Sequence, residues 1–85
     1  MSDSNAPSVE QRIAGLVQRL LTEHSIDRGV RADEDLRQAG LSSLDMVSLV
    51  LSVEEEFGLE VPETGITPAN FRSIAAIGRL VDSLQ

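Results

Sequence analysis

The run SSLDMVSLVLSVEEEFG, residues 42–58, decides the fold. Ser42 and Asp45 stand three apart, as a capping box requires: the serine oxygen takes the N–H of the third helical residue, and that residue's side chain returns to the serine N–H. Gly58 is suited to end the helix. The run therefore predicts a helix from Ser42 or Ser43 to Phe57, with Ser43 in its first turn. With Ser43 at 0° and about 100° per residue, Asp45, Ser48, Ser52, Glu55 and Glu56 gather between roughly 120° and 220°, a solvent face. Apolar residues fill the remaining arc of roughly 220°, whereas a surface helix usually buries somewhat over ~100°. The surplus divides into two stripes. Met46, Leu49, Val50, Val53 and Phe57 centre near about 300° and read as core. Leu44, Val47 and Leu51 centre near about 80°, flanked by Ser48, Glu54 and Glu55. An apolar patch with an acidic rim suits transient protein partners.

Working outward, residues 1–7 read as a flexible N-terminal tail and 8–85 as one domain. Ser8 and Gln11 form a second capping box. Val9, Ile13, Leu16, Val17, Leu20 and Leu21 then follow at helical spacing, predicting a helix near 9–24. His24 falls at its end, where a cation is favoured. Residues 25–41 carry no sustained period and read as a long loop, with Asp33-Glu34-Asp35 in solvent and Leu36 and Leu41 as its anchors. Thr67-Pro68 has the cap and first-position residues of a brief helix over 68–71. The last helix spans about 73–84, with Ile74, Ile77, Leu80, Val81 and Leu84 on its apolar stripe. No strand-like alternation stands out, and Val61 is too isolated to make a strand. The expectation is all-α, a small three-to-four-helix bundle. Its core should hold Ile13, Leu16, Leu20, Met46, Val50, Val53, Phe57, Phe71, Ile74, Ile77 and Val81.

Composition narrows the function. The 85 residues include no cysteine and one histidine. Thiolate metal sites, disulfides and cysteine nucleophiles are excluded, and a histidine-rich metal site cannot be built. The net charge is −7, and all seven basic residues are arginine. That balance opposes nucleic-acid binding, which needs cationic surface, and favours partners with basic patches. No basic-then-apolar leader is present, and no apolar run approaches the ~20 residues of a membrane span. A cytoplasmic monomer is expected.

The stretch Gly40-Leu41-Ser42-Ser43-Leu44-Asp45-Met46-Val47 resembles the phosphopantetheine attachment motif of acyl carrier proteins. The resemblance continues through Glu54-Glu55-Glu56-Phe57-Gly58-Leu59-Glu60-Val61-Pro62 and extends over most of 8–85 in helix layout. It implies that a phosphopantetheinyl transferase attaches 4′-phosphopantetheine to Ser43, and that the arm's thiol holds an acyl or aminoacyl group as a thioester. It implies partners that load and unload the arm: an acyl- or aminoacyl-loading ligase and downstream transferases or synthases. It also implies docking through the second helix, at Leu44, Val47, Leu51, Glu54 and Glu55, the stripe already read from the helix geometry. No catalytic residue is expected, because a carrier presents its cargo and is not an enzyme. Ser42 stands where fatty-acid carriers usually have aspartate, Ser48 where they commonly have glutamate, and the segment TPANFRS, 67–73, is roughly two residues longer. These departures point to secondary metabolism, lipid modification or aminoacyl carriage and away from housekeeping fatty acid biosynthesis. The competing reading is an unmodified helical adaptor that binds through the same stripe.

Overall fold

The computed structural model describes residues 6–85. Of the expected tail, residues 1–5 lie outside the described residues, and Ala6 and Pro7 are exposed. Four α-helices follow: α1 Val9–Glu23, α2 Leu36–Ala39, α3 Ser43–Phe57 and α4 Ile74–Leu84, with a 3₁₀ turn at Glu63–Gly65. There is no strand among the described residues, so the all-α bundle is as expected. Helix α1 packs against both α3 and α4.

Each long helix starts where its cap directs. The Ser8 oxygen takes the Gln11 N–H at 3.1 Å, and the Gln11 side chain accepts from the Ser8 N–H at 2.7 Å. Ser42 and Asp45 form the second reciprocal box. Ser73 caps α4 by accepting from the Ala76 N–H at 3.1 Å. Gly58 ends α3 in the left-handed region at φ 62°, a conformation without cost for glycine.

The core is the sum of three stripes. Ile13, Leu16, Val17, Leu20 and Leu21 come from α1, Leu49, Val50 and Val53 from α3, and Ile74, Ile77 and Val81 from α4. Leu36, Leu41, Val61 and Phe71 close its ends from the connections. Two expected core members are only half-buried. Met46 sits toward a cleft beside Ser43, and Phe57, the last residue of α3, has its ring covered by the Arg12 guanidinium at 4.3 Å. Arg12 also pairs with the Glu56 carboxylate at 2.8 Å, so a charged side chain of α1, and not an apolar one, covers that ring.

The long loop is more ordered than its aperiodic sequence suggests. One turn of helix, α2, forms within it, capped by the Asp35 carboxylate on the Arg37 N–H at 2.9 Å. Leu36 and Leu41 are buried and anchor it, as expected. Main-chain bonds tie it to the end of the chain: Leu36 N–H to the Arg72 carbonyl at 2.9 Å, and Ala75 N–H to the Ala32 carbonyl at 2.8 Å. Gly40 closes α2 at φ 121°, and a β-carbon there would lie 2.5 Å from Ile26 Cδ1. The expected brief helix at 68–71 is a single turn. Thr67 does cap it, accepting from the Asn70 N–H, but the Arg72 carbonyl is taken by α2 and the chain turns away into Ser73.

Two of the leucines in α3 have opposite duties. Leu49 is 1% exposed and Leu51 is 61% exposed. Leu49→Ala should destabilise the fold by about 2–5 kcal/mol through the cavity it leaves. Leu51→Ala should stay within about 0.5 kcal/mol. Urea unfolding of the two variants against the parent checks this; equal losses would mean that α3 is buried on both sides.

Candidate functional site

The site is built around the first turn of α3. Ser42 is the cap and Ser43 the first helical residue. The cap depends on Asp45, whose Oδ2 accepts from the Ser42 N–H at 2.7 Å and from the Ser42 hydroxyl at 2.9 Å. The other oxygen, Oδ1, lies 2.8 Å from His24 Nε2 at the end of α1. An ionised carboxylate only accepts, so the proton of that bond belongs to Nε2. Asp45 is therefore only 9% exposed, contrary to its expected place on the solvent face. The helical angle points it outward, but the capping box turns its side chain back over the start of the helix, and His24 covers it. Ser42 N–H bonding, foremost, and the His24 bond hold the Asp45 carboxyl below the usual carboxylate range, against the opposing effect of burial.

This arrangement leaves Ser43 free. Its side chain is exposed and takes no part in the cap, which runs through Ser42 alone. It opens on a cleft of about 280 Å³ between α2, the start of α3 and the 67–72 turn. Leu36, Leu49 and Phe71 form apolar walls of that cleft, and Asp35, Arg37 and Arg72 also line it. On the other side of α3, Leu44, Val47 and Leu51 are 80%, 54% and 61% exposed. Glu55 is exposed beside them, while Glu54 is half-buried and accepts from the Val61 N–H at 2.8 Å. Glu54 thus also fixes the connection that leaves α3. The structure places Ser43, Leu44, Val47, Leu51, Glu54 and Glu55 along one helix.

Residues 11–81 match the family described as the phosphopantetheine attachment site. The chain belongs to the acyl carrier protein family. It is a specialised member of it, by the relatives it matches. It is 40% identical to aminoacyl carrier protein 2 of Bradyrhizobium diazoefficiens over 78 residues, covering 92% of this chain and 88% of that one. It is 40% identical to aminoacyl carrier protein 1 of the same organism over 73 residues, covering 86% and 81%. A chain in the crystal structure of Bradyrhizobium japonicum glycine:carrier protein ligase complexed with glycylated carrier protein superposes with a TM-score of 0.73. That match has 38% identity and covers 86% of this carrier and 99% of the other. The same ligase complexed with its cognate carrier protein and an analogue of glycyl adenylate gives 0.75 and 38%, covering 89% and 99%.

The prosthetic group of this family is 4′-phosphopantetheine. The residues present fit it: an exposed serine hydroxyl outside the cap, at the start of a 15-residue helix and at the mouth of a cleft with apolar walls. No group of metal-ligating side chains occurs among the described residues. No helix among them is long and apolar enough to cross a membrane.

Neither the His24–Asp45 bond nor the lining of the Ser43 cleft by Arg37 and Arg72 follows from the sequence. The capping box was the available signal for Asp45, since it requires the third side chain to fold back. Nothing local pairs residue 24 with residue 45, or 37 with 72.

The lowered Asp45 value has a direction in pH. Its contribution to stability is full above the unfolded carboxylate value of about 3.9 and is lost as pH falls through the folded value. Asp45→Asn should cost on the order of 1–3 kcal/mol at pH 7. Parent and variant should converge in urea midpoint as the pH drops below about 4. A gap that persists at low pH would remove the ionised carboxylate from the account.

Proposed function

We propose that this protein carries an aminoacyl group as a thioester on a 4′-phosphopantetheine arm attached to Ser43. The observation that carries the reading is the exposure of Ser43 at the head of α3, outside the cap and between a cleft and an exposed apolar stripe. The arm supplies the terminal thiol, which a chain without cysteine lacks. The protein's own residues position that arm. Asp45, Ser42 and His24 fix the first turn, and α3 offers the surface on which client enzymes dock.

An aminoacyl cargo is favoured over a fatty acyl one by two aminoacyl carrier relatives at 40% identity. Ser42 and Ser48 agree with it, because they remove charge from the docking surface used by fatty-acid carriers.

The partners we infer are a phosphopantetheinyl transferase, an aminoacyl-loading ligase and a downstream transferase, met one at a time by a cytoplasmic monomer. Leu44, Val47 and Leu51 would supply apolar contact and Glu55 and Glu54 charge, against basic residues of the partner. The carrier performs no bond chemistry; tethering raises the cargo's effective concentration at the docked enzyme.

Incubation with coenzyme A and a broad-specificity phosphopantetheinyl transferase should add the mass of one arm to the parent and none to Ser43→Ala, read by intact-protein mass spectrometry. A parent that stays unmodified with several such transferases sinks the reading. The docking face has its own test, with the glycine:carrier protein ligase of the Bradyrhizobium relative as probe. Leu51→Asp should raise the KM for holo carrier about ten-fold or more at little cost in kcat, as a central interface contact would. An unchanged KM would remove the α3 stripe from docking.

A further inference from the structure

Electrostatics at Ser43 pose a problem for any phosphate attached there. The chain already carries a charge of −7. At physiological salt, charges beyond about 8 Å are largely screened, so neighbouring groups decide the outcome. The start of a helix ordinarily favours an anion, by its dipole and free N–H groups. Here that advantage is already spent in part, because the ionised Asp45 carboxylate lies over the same turn and Ser42 takes the Asp45 N–H.

Two cations share the cleft with Ser43. Arg37 and Arg72 line the same cleft as Ser43, one from α2 and one from the turn before α4. Their other commitments are weak. Arg37 makes no ion pair among the described residues, and Arg72 stands 3.9 Å from Asp35 with its side chain 71% exposed. By contrast, Arg12 and Arg28 are held in close pairs with Glu56 and Glu34. The two elements that bear Arg37 and Arg72 are joined by the bond from the Leu36 N–H to the Arg72 carbonyl, which keeps both on one rim. Below that rim the walls are Leu36, Leu49 and Phe71. Guanidinium groups are well matched to phosphate oxygens, and apolar walls suit the methylene and methyl groups of a short chain.

We propose that Arg37 and Arg72 clamp the phosphodiester on Ser43 and that the cleft beneath them seats the first part of the arm. This inference rests on attachment at Ser43. Asp35 lines the same cleft, and its repulsion of the phosphate is moderated because its carboxylate caps α2 and lies near Arg72. The arm at rest then lies against the Met46 and Leu49 side of α3. That side is roughly 170° around the helix from the Leu44, Val47 and Leu51 stripe, at about 100° per residue. A docked client can therefore grip α3 without covering the seated arm.

The test uses holo protein, made with coenzyme A and a phosphopantetheinyl transferase and verified by mass. Amide ¹H–¹⁵N spectra of apo and holo forms are compared, together with the ³¹P shift of the diester, for the parent and for an Arg37→Gln/Arg72→Gln double variant. Loading of the parent should move the amides of Leu36 and Phe71 as well as those around Ser43. In the double variant the remote changes should vanish, and the ³¹P shift should move to that of the same diester in holo protein unfolded by urea. Both arginines are exposed, and apo spectra of parent and variant report directly whether the fold is kept. Amide changes confined to residues 42–44, with a ³¹P shift indifferent to the variant, would overturn the clamp while leaving attachment intact. Failure of the parent to gain the arm's mass would overturn both.

Discussion

A single carboxylate organises the working end of this protein. Asp45 accepts from the main chain and hydroxyl of Ser42 through one oxygen and meets His24 through the other. The first set of bonds starts α3, and the other ties that start to the end of α1. Hydrogen bonds to a charged group are worth more than neutral ones, roughly 1.5–3 kcal/mol, and this carboxylate needs them because it is nearly buried. With Ser42 committed to the cap, the next serine points away from it. The exposure of Ser43 is thus a product of its neighbours' bonding and not of a loose loop.

Helix α3 divides its apolar surface between two tasks. Leu49, Val50 and Val53 are given to the core, and Leu44, Val47 and Leu51 are left in water. Leaving three aliphatic side chains exposed forgoes about 1.5–3 kcal/mol for each that burial could have returned. A fold this small has little stability to spare, so such a stripe makes sense as surface kept for another molecule.

Periodicity and caps carry most of the fold in plain sight. The three long helices, their starts and most of their core residues follow from apolar spacing and from the pairs Ser8 with Gln11 and Ser42 with Asp45. Ser43 and the α3 stripe were legible for the same reason, because both belong to one helix whose geometry is local. What escaped was set by contacts distant in sequence. Helix α2 has only four residues and stands because Leu36 is buried and its N–H finds Arg72. Phe57 is half-covered because Arg12, forty-five positions earlier, lies over its ring. Asp45 went astray where two local rules conflicted, the helical angle and the cap. The cap prevailed, since a side chain in the first turn can reach back to an unbonded N–H.

The cations at the rim of the cleft are arginines, as are all the basic residues of the chain. That choice bears on chemical survival as well as on charge. A thioester on the proposed arm would be open to attack by a neutral amine, which a lysine at 37 or 72 would supply for part of the time and an arginine would not. A guanidinium stays protonated at any pH the protein meets and offers no lone pair for attack. With no cysteine and no lysine anywhere in the sequence, a carrier of this kind has no side-chain thiol or ammonium group onto which its load could migrate. On the proposed function, the lifetime of a loaded state would then be set by water and by the enzymes that collect the cargo.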